Sequence, residues 1–132
     1  MKSEAKIQQS CLIFFNNTYC LKHHSPRFLM FSVPNEMAMI VRGALKREGI
    51  SGSLIDRIVR MVTSAMKNIG LLSGASDTIV CLPGKVLFIE FKTEIGKQSD
   101  SQKQFEKRVR NLDLEYHLIR SLEQFKTEIC EL

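Results

Sequence analysis

The stretch Gly74-Ala-Ser-Asp-Thr-Ile-Val-Cys-Leu-Pro-Gly-Lys-Val-Leu-Phe-Ile-Glu-Phe-Lys92 holds two short runs rich in Val, Ile, Leu and Phe, separated by Pro83-Gly84. Runs of this length and composition on either side of a Pro-Gly turn read as paired β-strands, Thr78 to Leu82 and Lys85 to Phe91. Side chains along a strand alternate between its faces, so Glu90 and Lys92 share one face while Phe91 points to the other and into a core. In the usual hairpin register Asp77 comes from the partner strand near the same end. Three charged groups then meet at the edge of an apolar sheet.

Two carboxylates a few ångströms apart repel, and a divalent cation or a basic partner is the usual means of keeping both ionised near neutral pH. Mg²⁺ suits Asp77 and Glu90 because it is a hard cation that takes oxygen ligands, keeps several waters and shares its shell with phosphate. Lys92 can hold an attacking water or offset charge that builds on phosphate oxygens. The plainer alternative is an exposed Glu90–Lys92 ion pair with Asp77 as a turn residue.

The segment resembles the PD-(D/E)XK nuclease superfamily and, more narrowly, its virus-type replication-repair nuclease (VRR-NUC) branch. Gly70-Leu-Leu-Ser-Gly-Ala-Ser-Asp77 matches a Gly-rich turn leading to the metal-binding Asp, and Glu90-Phe91-Lys92 matches the Glu-x-Lys. Gly96-Lys-Gln-Ser-Asp-Ser-Gln102 matches the Gly-x-x-Ser-x-x-Gln that opens a helix, and Tyr116-His-Leu-Ile-Arg-Ser121 the closing strand. Phe31-Ser-Val-Pro-Asn-Glu36 resembles a strand ending in Pro-Asn, and Ser3-Glu-Ala-Lys-Ile-Gln-Gln9 the first helix, whose Glu approaches the metal. Ser76 stands where the superfamily name implies Pro, and it still permits the turn.

The resemblance implies an α/β fold with a restriction-endonuclease-like core, a mixed sheet flanked by helices. It implies catalytic roles for Asp77, Glu90, Lys92, Gln102 and Glu4. Mg²⁺ or Mn²⁺ would sit on Asp77, Glu90 and the backbone carbonyl of Phe91, with Glu4 binding a second ion or metal-held water. Gln102 would orient Lys92 or substrate. The implied activity is structure-specific hydrolysis of DNA phosphodiester bonds, in branched DNA such as four-way junctions, by a homodimer. The alternative is a non-catalytic DNA-binding or assembly module that keeps the fold.

Outward from this segment, Ser3 caps a helix running to about Phe15, with Ile7, Cys11, Phe14 and Phe15 on one side. Glu4 in its first turn also suits the helix dipole without any metal. Asn16 to Pro26 reads as a polar, turn-like stretch in which His23 and His24 are solvated or DNA-facing, and Arg27 to Val33 as a strand. Met37 to Glu48 and Ser53 to Ile69 are helical, divided at Gly49-Ile-Ser-Gly52, and form an insertion over about residues 37–69. Its methionines and aliphatics exceed what a small sheet needs to cover, which favours a second subunit.

Beyond Lys92, Ser99 or Asp100 caps a helix through Leu112 with Phe105, Val109 and Leu112 as its buried stripe. Glu115 to Arg120 is a strand that such a helix can return parallel to the Glu90 strand, and Leu122 to Leu132 a terminal helix. Candidate nucleic-acid contacts are Asn35, Arg42, Lys46, Arg57, Arg60, Lys97, Ser99 and Lys103.

A chain of 132 residues with 44% hydrophobic content fits one domain, residues 1–132. A net charge of +5 and a pI near 9.2 favour a polyanionic partner. No apolar run approaches the roughly 20 residues that cross a bilayer, and the charged start lacks the apolar core of a signal peptide, so a cytoplasmic protein without membrane contact is expected, in a bacterial or phage-infected cell. Cys11, Cys20, Cys81 and Cys130 lack zinc-finger spacing and read as reduced, mostly buried thiols.

Overall fold

A computed structural model describes residues 2–20, 28–33 and 37–130 of the chain. Serine caps punctuate the helices. Ser3 Oγ accepts from Lys6 N to open α1 (Glu4–Phe15), which is followed by strand β1 (Leu29–Ser32) and helix α2 (Met37–Arg47). Ser51 Oγ accepts from Leu54 N at the head of α3 (Gly52–Asn68). The hairpin β2 (Thr78–Leu82) and β3 (Lys85–Phe91) comes next. A reciprocal capping box between Ser99 and Gln102 opens α4 (Asp100–Asn111), and the chain ends in β4 (Glu115–Ile119) and α5 (Leu122–Glu128), capped by Ser121.

The result is an α/β fold: a mixed sheet in the order β1-β2-β3-β4, flanked by helices. β1, β2 and β3 are antiparallel neighbours, while β4 lies parallel to β3 and is reached through α4. Alternation divides the sheet into two faces. Met30, Val80, Leu82, Leu87, Ile89, Phe91 and Ile119 pack with Ile7, Cys11 and Phe15 of α1 and Phe125 of α5, together with Ile129, as the principal core. On the opposite face Phe88 meets Phe105 of α4, with ring centroids 5.8 Å apart, and Phe105 meets Tyr116 at 6.3 Å. Phe91 therefore enters the core as its place in the alternation demands, and Glu90 and Lys92 face α4.

Several expectations need correction. Asn16–Cys20 is a π-helical continuation of α1, held by the Phe15–Tyr19 ring contact and by Tyr19 Oη donating to the Cys130 carbonyl at 2.6 Å. Leu112, assigned to the buried stripe of α4, is 70% exposed because the helix has ended at its C-cap there. Among the four free cysteines only Cys11 is buried; Cys20, Cys81 and Cys130 are half-buried. The strand expected over Arg27 to Val33 is limited to Leu29–Ser32 among the described residues, and the final helix stops at Glu128. His23, His24, Asn35 and Glu36 lie outside the described residues.

Candidate active site

The hairpin register carries Asp77 to Glu90. Thr78 pairs with Ile89, so the next position back on β2 faces the next position forward on β3. Asp77 Oδ2 accepts from Phe91 N at 2.8 Å, and its backbone carbonyl accepts from Val33 N at 2.8 Å, which ties the residue to both neighbouring strands. The turn that delivers it lies tight against the start of α4. Gly74 has φ of 81°, and a Cβ there would run into the backbone of Ser101 and Gln102. A glycine thus lets the Asp77 turn and the first turn of α4 approach the same point.

Glu90 is 1% exposed and receives two side chains. Gln102 Nε2 donates to its Oε1 at 2.6 Å, and Tyr116 Oη makes a long hydrogen bond of 3.4 Å to its Oε2. Lys92 Nζ stands 3.9 Å from Oε1, a loose ion pair that is itself largely buried. Burial, first, and the Asp77 charge, second, push the Glu90 carboxyl from an ordinary 4.5 up to about 8, against the opposing pull of Lys92 and the Tyr116 hydrogen bond. Glu4, half-buried in the first turn of α1, adds a further repulsion.

The structure thus brings Asp77, Glu90, Lys92 and Gln102 together, with Glu4 near enough for its charge to act on Glu90. The exposed ion pair considered as the alternative is not what forms, because Glu90 and Lys92 are enclosed. Gln102 differs from expectation in its partner: its amide serves Glu90 rather than Lys92, and its Oε1 closes the capping box with Ser99 N at 2.8 Å. Among the described residues no group of three or more His, Cys, Asp or Glu side chains gathers to hold a metal. Asp77, Glu90 and the Phe91 carbonyl are still a fitting oxygen set for Mg²⁺ or Mn²⁺, since two mutually repelling carboxylates gain most from such an ion and Mg²⁺ retains water for its other positions.

Of the candidate nucleic-acid contacts, Arg42 is paired with Asp56 at 2.7 Å, while Lys46, Arg57 and Arg60 are exposed along α2 and α3. Lys97, Ser99 and Lys103 surround the head of α4, beside the site, and Ser99 Oγ is occupied as the helix cap. Three residues escaped the sequence reading. Tyr116 joins through the parallel register, which sets it beside Phe88 one step along the same face as Glu90, and it also accepts from Gln98 Nε2 at 3.2 Å. Gln8 Nε2 donates to Thr78 Oγ1 at 3.1 Å, next to Asp77; its spacing of one turn from Glu4 was the available signal. Arg120 binds the loop that follows Lys92.

In comparisons with protein-family models, curated proteins and solved structures, nothing matches this chain.

Proposed function

We propose that the chain is a divalent-metal-dependent DNA endonuclease with a PD-(D/E)XK core of the VRR-NUC type. The observation that carries this reading is Glu90, pushed up first by its burial and then by Asp77 across the hairpin, and attended by Lys92 at 3.9 Å. A protein gains no stability from facing two carboxylates in a largely closed site, whereas a cation-binding site requires it. The antiparallel β1-β2-β3 run with β4 added in parallel through α4 is compatible with a restriction-endonuclease-like core.

Asp77 and Glu90, with the Phe91 carbonyl, would hold Mg²⁺ or Mn²⁺, and Glu4 would approach from the first turn of α1. When bound, the ion supplies Lewis-acid polarisation of the scissile phosphate. Lys92 holds the attacking water or offsets the charge that develops on the phosphate oxygens. Gln102 and Tyr116 fix the Glu90 carboxylate from its two oxygens. The basic surface of α2, α3 and the head of α4 receives the phosphate backbone, and a two-fold dimer suits a four-way junction with two equivalent strands to cut. No helix among the described residues is long and apolar enough to cross a membrane.

Cleavage of labelled linear duplex, flap and four-way-junction DNA with Mg²⁺, Mn²⁺ or EDTA tests the reading. Metal-dependent cuts in the junction are expected, abolished in Asp77→Ala and Lys92→Ala while both variants still fold and bind DNA. Junction binding without cleavage under any metal would replace the enzyme by a non-catalytic binding module. A Lys92→Ala protein that cuts at the wild-type rate would remove Lys92 from the chemistry.

A further inference from the structure

We infer that Arg120 is a positioning residue for Lys92, holding the loop Thr93 to Gly96 against the lysine stem; the inference rests on the nuclease reading above. Lys92 N donates to the Ile119 carbonyl at 3.0 Å, so Lys92 and Arg120 leave the parallel strands β3 and β4 side by side. From there Arg120 Nη1 reaches three carbonyls of one loop: Thr93 at 2.6 Å, Gly96 at 2.7 Å and Glu94 at 3.3 Å. The two hydrogens of Nη1 serve the short contacts to Thr93 and Gly96, with Glu94 sharing one of them, and charge-assisted bonds converging on one loop in this way make a clamp. Its own base is fixed, because Arg120 N donates to Gln124 Oε1 at 2.8 Å and Gln124 Nε2 donates to the Leu118 carbonyl at 2.8 Å.

The clamped loop in turn bears on Lys92. Gly96 N donates to Thr93 Oγ1 at 3.1 Å, folding the loop back on itself. A Cβ added to Gly96 would lie 3.0 Å from Thr93 Oγ1 and in ordinary contact with Lys92 Cδ at 3.5 Å, so the loop passes beside the lysine stem at about the reach of one methyl group. Glu94 and Arg120 also line a cavity of about 270 Å³ that reaches Ile7 and Ser10 of α1. Without the clamp the loop has this space to relax into, and the ammonium loses its registration with Glu90. A displacement of about 1 Å at a reacting group can cost on the order of 100-fold in rate.

Arg120→Met keeps the stem and removes the donors; Arg120→Lys offers three hydrogens from one nitrogen. Single-turnover cleavage of a four-way junction, junction affinity and the ¹³C signal of reductively methylated Lys92 are measured together. Arg120→Met is expected to slow cleavage about 10–100-fold with affinity unchanged, to move the Lys92 signal toward that of a free lysine, and to be partly rescued in Arg120→Lys. Gly96→Ala leaves Arg120 in place but sets its Cβ 3.0 Å from Thr93 Oγ1, which disturbs the loop that Arg120 holds, so it should also slow cleavage and covers the case in which Arg120→Met does not fold. Wild-type rates in Arg120→Met or in Gly96→Ala overturn the inference, as does an unmoved Lys92 signal. If the wild-type protein cuts no DNA, the nuclease reading fails, and the Lys92 signal alone decides whether the clamp exists.

Discussion

Glu90 concentrates the electrostatics of the molecule in one side chain. With the carboxyl raised from 4.5 to about 8, both folded and unfolded chains hold its proton below the lower value, and only the folded chain holds it between the two. Unfolding then releases a proton, so the contribution of Glu90 to stability falls as pH rises through that window and the full cost is present above it. In metal-free protein, Glu90→Gln should flatten this component, so the melting temperature of the wild type falls relative to the variant from pH 5 to pH 8. Mg²⁺ or Mn²⁺ added at pH 8 should raise the wild-type melting temperature and leave Glu90→Gln nearly unmoved. Parallel pH profiles, or equal stabilisation by metal in both proteins, would deny Glu90 this role. The sequence exposed Asp77, Glu90 and Lys92 because alternation and one Pro-Gly turn are local signals. Tyr116 was hidden for the opposite reason: it meets Glu90 only through a register set across α4, and no spacing in the chain encodes which pair of a parallel ladder aligns.

The elements show the same division between local and distant causes. The caps at Ser3, Ser51 and Ser99 and the hairpin at Pro83-Gly84 are self-contained, and the helices and strands they bound were legible to within a few residues. Asn16–Cys20 was not, because its polar composition reads as a turn while its helical path depends on Tyr19 reaching Cys130 at the other end of the chain. Leu112 misled because the periodicity continues one step past the last helical residue, Asn111, onto the C-cap of α4. Gly74 tests how strongly two elements are locked together at the site. Gly74→Ala would combine a left-handed φ with a collision against α4 and should cost roughly 2–4 kcal/mol in urea denaturation. Gly52, the first residue of α3 with nothing within 4 Å of an added Cβ, is the control, and Gly52→Ala should instead stabilise by about 0.4–1 kcal/mol by reducing the freedom of the unfolded chain. Equal effects at the two positions would mean that the Asp77 turn is not held by α4.

At the scale of the whole molecule, α2 and α3 are the elements whose sequence and surroundings agree least. They pack on one another, burying Ile55 and Val59, yet Met39, Ile40 and Met61 are 69%, 65% and 70% exposed. Large apolar side chains gathered on one helical pair are more than a solvated face requires, and a second copy of the chain is the occupant that the proposed two-strand cleavage calls for. Dimerisation through this surface makes a prediction that separates assembly from chemistry, since Met39 and Met61 are remote in sequence from Asp77, Glu90 and Lys92. Wild-type protein should elute with a light-scattering mass of twice 15.1 kDa, and Met39→Glu/Met61→Glu at the single-chain mass with its fold retained by circular dichroism. On a four-way junction the wild type should release paired incisions within one binding event. The monomeric variant should nick one strand and dissociate, because each chain keeps a complete Asp77–Glu90–Lys92 site but lacks the second one. A wild type that is monomeric while still making paired cuts would detach the helical pair from both assembly and substrate geometry.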